Sequence, residues 1–157
     1  MKKNPLNIYW LLIVPVCIVV IDEYIKFIGL RTLPDETYIK HPSFLNLAIH
    51  KNLGLAFDIP FRVWVIVLIS IVLGYFLLEI AYKNLLTHPK VSFSSLLIII
   101  GALGNLYDRI VYGFTVDYLI FFGRSAVNIS DMLIVLGVIL LLLSSRKSKL
   151  HNPILNN

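Results

Sequence analysis

The chain has 157 residues, 58% hydrophobic and 15% charged, with a formal net charge of +5. A water-soluble domain carries about a quarter charged residues. So many apolar side chains need a solvent other than water, and a single integral membrane domain over residues 1–157 is expected. The lone Cys17 excludes a disulfide framework and any cysteine-based metal site, and the scattered basic residues, without a binding motif, argue against nucleic acid as a partner.

A spanning helix needs about 20 mostly apolar residues, and four segments meet or approach that: residues 8–30, 63–82, 91–111 and 127–145. The first follows a Lys2-Lys3 tip and imitates a secretory signal. No small-residue cleavage site follows, and apolar residues continue to Leu30, so it reads as an uncleaved span, kinked at Pro15. Cys17 lacks small residues before it and reads as a packed thiol. Four spans put both ends on one side. Lys2, Lys3, Lys83, Lys90, Arg146, Lys147 and Lys149 then share the cytoplasm, although Arg31, Lys40, Lys51, Arg62, Arg109 and Arg124 fall opposite. The outer connections are residues 31–61 and 112–126. The stretch SFLNLAIHKNLGLAFDI in the first alternates in part, which predicts short strands against the membrane surface. The second reads as a loop holding Asp117.

An ionised side chain at mid-membrane costs about 2.5–3.5 kcal/mol on insertion scales, so depth is informative. At about 1.5 Å per residue, Asp22 lies about 21 Å from the inner edge and Lys26 about 27 Å; Asn105 lies about 21 Å up. Asp108 and Arg109 fall at about 26–27 Å, and Asp131, on a descending helix, at about 24 Å. Polar groups from three helices therefore converge on one layer near the outer surface. Asp22 and Lys26 share a helix face, as do Asn105, Asp108 and Arg109, and Asn128 and Asp131. Gly101 and Gly104 offer a surface where another helix can approach closely.

Asp22–Lys26 and Asp108–Arg109 read equally well as ion pairs that hold helices together. Asp117 and Asp131 differ, because neither has a cation close by in sequence. Two carboxylates brought together retain a proton between them and titrate as a unit. One can activate water while the other protonates the carbonyl oxygen or leaving amine, without a covalent intermediate. His41, His50, His88 and His151 show no metal-ligand spacing, and no cofactor motif is present. A small proton- or ion-coupled transporter also uses intramembrane carboxylates, but it needs polar groups along a path through the membrane. A structural subunit that binds a partner through this layer is a third alternative.

Five motifs then occur in order: Asp22-Glu23-Tyr24-Ile25-Lys26, Asn52-Leu53-Gly54-Leu55-Ala56-Phe57, Gly101-Ala102-Leu103-Gly104-Asn105-Leu106-Tyr107-Asp108-Arg109, Val116-Asp117-Tyr118 and Asn128-Ile129-Ser130-Asp131. With them the chain resembles the lipoprotein signal peptidases (signal peptidase II), four-helix membrane aspartyl proteases of bacteria. The resemblance implies a mainly α membrane protein with a small extracytoplasmic β-containing region, a β-cradle with a mobile helix over the site. It implies removal of the signal peptide from diacylglyceryl-modified prolipoproteins, just before the lipidated cysteine. Asp117 and Asp131 would be the catalytic dyad. Asn52, Gly54, Asn105, Arg109 and Asn128 would position substrate or hold the site, with Asp108, Asp22 and Lys26 shaping it. It implies no cofactor and no metal. Its expected setting is the bacterial inner membrane, with membrane lipid around a monomer, both termini cytoplasmic and the site towards the outer face. Three features depart from the family pattern: Glu23 stands where Gln is usual, Ser130 where Ala is usual, and the connection between the two aspartates is several residues shorter.

Overall fold

The computed structural model describes residues 5–39, 41, 43–54 and 61–150. A 3₁₀ helix over Pro5–Leu12 leads into α1 (Ile13–Thr32). Then follow β1 (Leu45–Asn52), α2 (Val63–Lys83), α3 (Pro89–Val111), β2 (Thr115–Phe121), β3 (Ser125–Val127) and α4 (Ile129–Leu150). The fold is mainly helical, with one antiparallel sheet in the order β1-β2-β3.

The helices divide by what they touch. α2 buries only Ile66 and Ala81 and turns large side chains such as Trp64, Leu68 and Phe76 outward. Among the described residues, α2 and α3 are each long and apolar enough to cross a membrane. α3 is the inner helix, burying residues from Val91 to Asp108 along one face. Its seam with α4 has no room for larger side chains. A Cβ built on Gly101 would come within 2.8 Å of the Ser130 carbonyl oxygen, and one on Gly137 within 2.6 Å of Ile98 Cγ1. Small residues let these backbones approach closely, as helices do where lipid supplies no hydrophobic drive for association.

Three local expectations change. Pro15 lies in the first turn of α1, where its missing N–H breaks no helical bond, so the preceding 3₁₀ segment replaces the expected kink. Val127 ends β3 instead of opening the fourth helix. The connection holding Asp117 is not a loop but contains β2, the middle strand of the sheet. Thr115, Val116, Asp117 and Tyr118 are all 4% exposed or less. A strand buried on both faces lacks the alternation by which strands are recognised.

The strand expected in the first outer connection is present as β1. Among the described residues there, the only helix is a 3₁₀ turn at Glu36–Tyr38. Leu55, Ala56 and Phe57 lie outside the described residues, as do Lys2, Lys3, Lys40 and His151; so do the side chains of Arg146, Lys147 and Lys149.

The pairing of β1 with β2 contains a bulge between Leu47 and His50. Leu47 pairs with Leu119, but His50, not Ile49, pairs with Asp117. One inserted residue exchanges the two faces of the strand beyond it. Asn52 is thereby placed on the same face as Asp117, where an unbroken register would have put Lys51. Beneath the sheet, Ile49, Val116 and Tyr118 form a core with Ile25, Leu30, Leu33 and Ile129, which seats it on the ends of α1 and α4.

Candidate active site

A helix begins with four N–H groups that have no partner inside it. At the start of α4 all four are satisfied by side chains. Asn128 is the N-cap: its Oδ1 accepts from the Asp131 N–H at 2.9 Å, and Asp131 Oδ2 accepts from the Asn128 N–H at 3.3 Å. This is a reciprocal capping box with Asp131 as its third helical residue. Asp22 reaches across from α1 to accept from the Ile129 and Ser130 N–H groups, both at 3.2 Å. Asp131 thus sits in the first turn of α4, at the positive end of the helix dipole.

The cap also orients the second aspartate. Because Asn128 Oδ1 is committed to a backbone N–H, its Nδ2 must face the other way. It donates to Asp117 Oδ1 at 2.7 Å and to Asn105 Oδ1 at 3.1 Å. Asn105 Nδ2 donates to Asp131 Oδ1 at 2.6 Å. The same logic fixes Asn52: Oδ1 accepts from the Gly54 N–H at 3.0 Å, so Nδ2 turns to Asp117 Oδ2, at 3.1 Å. Three asparagines therefore hold two carboxylates, and Asn128 touches both. Asp117 is 1% exposed. Burial, then the charge of Asp131, pushes its pKa up to about 7, against the weaker pull of the Asn52 and Asn128 donors.

Behind the aspartates, Lys26 is fully buried. Its Nζ lies 3.1 Å from Asp22 Oδ2, 2.9 Å from Glu23 Oε1 and 2.9 Å from Asp108 Oδ2. Two outer members of this cluster, Asp22 and Asp108, each hold one arm of the site. Asp22 caps α4 and so carries Asp131. Asp108 Oδ2 accepts from the Val116 N–H at 3.1 Å, next to Asp117. Tyr118 Oη and Ser130 Oγ donate to Asp22 at 2.7 and 2.6 Å. Burial, with the Asp22 hydrogen bond next, pushes the Tyr118 pKa up, so the phenol keeps its proton and stays a donor.

Arg109 is placed differently from the sequence expectation. It makes no ion pair with Asp108, which binds Lys26 instead. Its guanidinium donates to the Asn105 carbonyl oxygen at 3.4 Å and to the Gly54 carbonyl oxygen at 3.3 Å, tying the first outer connection to α3. Among the described residues, no cluster of three or more His, Cys, Asp and Glu side chains is arranged to hold a metal ion.

A family model for Signal peptidase (SPase) II matches residues 14–147. The chain belongs to the signal peptidase II family. Membership makes it a peptidase. The lipoprotein signal peptidase of Halothermothrix orenii is 35% identical, with 83% of this chain and 91% of the relative covered. That of Cupriavidus necator is 32% identical over 85% and 82%, and that of Staphylococcus aureus 32% over 87% of each. A bacterial membrane enzyme solved by the in meso method at 2.3 Å resolution superposes with a TM-score of 0.77 at 26% identity, covering 88% of both chains. These relatives give the transporter reading no support.

All ten residues singled out from the sequence lie in one connected region. Asp117, Asp131, Asn52, Asn105 and Asn128 touch one another directly; Gly54 and Arg109 brace them; Asp22, Lys26 and Asp108 support them from behind. Tyr118 and Ser130 belong to that support and were missed. Each adjoins a marked aspartate in sequence, but only the fold brings Asp22 to them.

Proposed function

We propose that this signal peptidase II relative is an aspartyl endopeptidase that removes the signal peptide of diacylglyceryl-modified prolipoproteins just before the lipidated cysteine. Asp117 and Asp131 are its catalytic dyad. The observation that carries this reading is that both carboxylates converge on one side chain, Asn128.

The two aspartates take different roles. Asp117 is buried on a strand and holds a proton up to about neutral pH. Asp131 accepts a backbone N–H and the Asn105 amide at a helix N-terminus, surroundings suited to the anion. In the first step Asp131 takes a proton from water as its oxygen attacks the scissile carbonyl, and Asp117 gives its proton to the carbonyl oxygen. In the second step the tetrahedral carbon expels the cysteine amine, which takes a proton from Asp131. Asp117 regains its own as the carbonyl reforms. Arg109, Gly54 and Asn52 fix the rim against which the substrate backbone rests.

The proposed topology has four spans, α1 to α4, with both termini in the cytoplasm of the bacterial inner membrane and the site towards its outer face. The chain acts as one domain and as a monomer surrounded by lipid. The lipid-bearing cysteine then meets the dyad where acyl chains give way to headgroups. The test is processing of a diacylated precursor by the purified protein. Asp117→Asn and Asp131→Asn are each expected to abolish cleavage while the protein stays folded. Full cleavage by both variants would refute the dyad.

A further inference from the structure

The Lys26 cluster contains three carboxylates and one ammonium. Lys26 has three N–H donors and three carboxylate partners, so it has none to spare. Asp22 is fully satisfied. Besides Lys26 it accepts from Tyr118 Oη, the Ile129 N–H, the Ser130 N–H and Ser130 Oγ. The other two are not. Glu23 Oε2 and Asp108 Oδ1 are both buried and lack a hydrogen-bond partner among the described residues. These two carboxyl groups bind the same ammonium, each through an oxygen 2.9 Å from Lys26 Nζ. Two unprotonated carboxyl groups gathered on one ammonium repel, and each unpaired buried polar atom is destabilising, more so if charged. One proton placed between them turns one group into a donor and satisfies both.

We propose that Glu23 is a positioning residue that acts in its protonated form, sharing one proton with Asp108 and so steadying the Lys26 cluster that supports Asp117 and Asp131. Glu23 touches neither dyad carboxylate. It acts through Asp108, which holds the Val116 N–H beside Asp117, and through Lys26, which holds Asp22 beneath α4. The groups facing it are Asp22 and Lys26 on its own helix, Asp108 on α3, Tyr118 on β2 and Tyr112 just after α3, with Arg31 acting on Tyr112. From α4, Ser130 Oγ approaches across Gly104, whose Cβ would lie 2.5 Å from it and 3.1 Å from Glu23 Oε1. Lys26 is the one cation in direct contact with Glu23 among the described residues, and it is shared three ways. Glu23 is 20% exposed, into a cleft lined by Val19, Val20, Phe27 and Tyr107. A glutamine at this position would donate to Asp108 through its amide at every pH. The glutamate does so only while protonated.

The inference rests on the dyad reading, and two measurements on the purified full-length protein separate the two. The first is the pH profile of kcat/KM on a diacylated precursor for wild type, Glu23→Gln and Glu23→Met. Losing the dyad proton alone makes the alkaline limb fall about tenfold per pH unit, and a second required proton makes it up to tenfold steeper. Glu23→Gln is expected to match wild type on the acid side and to show the shallower limb. Glu23→Met, with no donor, is expected to fall about tenfold at every pH. The second is the infrared difference spectrum, wild type minus Glu23→Gln, near neutral pH. A protonated-carboxyl C=O band is expected there whether or not Asp117 and Asp131 are the catalytic pair. Superimposable pH profiles with no such band would overturn the inference. Full activity of both dyad variants would instead overturn the dyad and leave the band in place.

Discussion

Asp117 and Asp131 bring the same side chain into the site from two different kinds of structure. Asp117 stands in the middle strand of a sheet, 1% exposed, and its two donors among the described residues are amide side chains. Asp131 stands in the first turn of a helix, where it is also half of the cap. The strand supplies burial, which favours the neutral acid; the helix end supplies N–H groups and a dipole, which favour the anion. A dyad needs one of each. In the proposed dyad, backbone context, with no difference in residue type, would sort acid from base.

Neutralising either aspartate has the largest expected effect. Asp117→Asn and Asp131→Asn should each lower processing by about 10³-fold or more. Their stabilities should diverge. Asp131→Asn weakens the cap and should lower the melting temperature, with a loss of about 0.5–1 kcal/mol. Asp117→Asn removes a buried acid but turns its own amide N–H2 toward the Nδ2 donor of Asn52 or Asn128, and should lose about 1–3 kcal/mol. Equal melting shifts would erase the contrast between strand and helix end.

Asn128 is where the two regions meet, and it allows a finer separation. Asn128→Ala removes both the cap and the Asp117 donor. Asn128→Ser restores a cap but has no amide to reach Asp117. Both should lose about 10²-fold in rate. Only the alanine variant should lose about 1 kcal/mol in denaturation. A serine variant of normal rate would show that Asn128 serves the helix alone.

The proton on Asp117 can be followed by pH. Its pKa of about 7 lies above the usual carboxylate value of 3.8, so the acid form is full at low pH and is lost as pH rises through 7. The activity attributed to that proton should decline on the alkaline side from about pH 7. Asn52 donates to Asp117 and favours the charged form, so Asn52→Ala should move that limb upward by up to about one pH unit. The rate should change only about threefold. A downward move would mean that Asn52 does not act through Asp117.

Much of this was legible in the sequence because it repeats locally. Helices α2 and α3 follow from long apolar runs, and the layer holding Asp22, Lys26, Asn105, Asp108 and Asp131 follows from counting along helices. The carboxylates with no nearby cation, Asp117 and Asp131, already marked the chemistry. What escaped depends on tertiary pairing. The cation for Asp108 is Lys26, 82 positions away in sequence from it by the numbering, while its neighbour Arg109 turns to the Gly54 carbonyl. β2 was hidden by burial on both faces. The bulge that brings Asn52 to Asp117 is a register event and has no composition of its own. The pair Asn128 and Asp131 was visible at i and i+3, but seeing it as a cap required knowing that α4 starts at Ile129 and not at Val127.

The capping box at α4 has a mechanical consequence. In the proposed mechanism, when Asp131 takes the proton from water its carboxyl becomes a poorer acceptor for the Asn128 N–H, and the helix end is partly uncapped. The first turn of α4 is then least secure while the tetrahedral intermediate exists, and it tightens again when Asp131 releases the proton to the leaving amine. With Asp131 as the proposed general base, the helix terminus would act as a return spring, resisting the first half of each turnover and assisting the second.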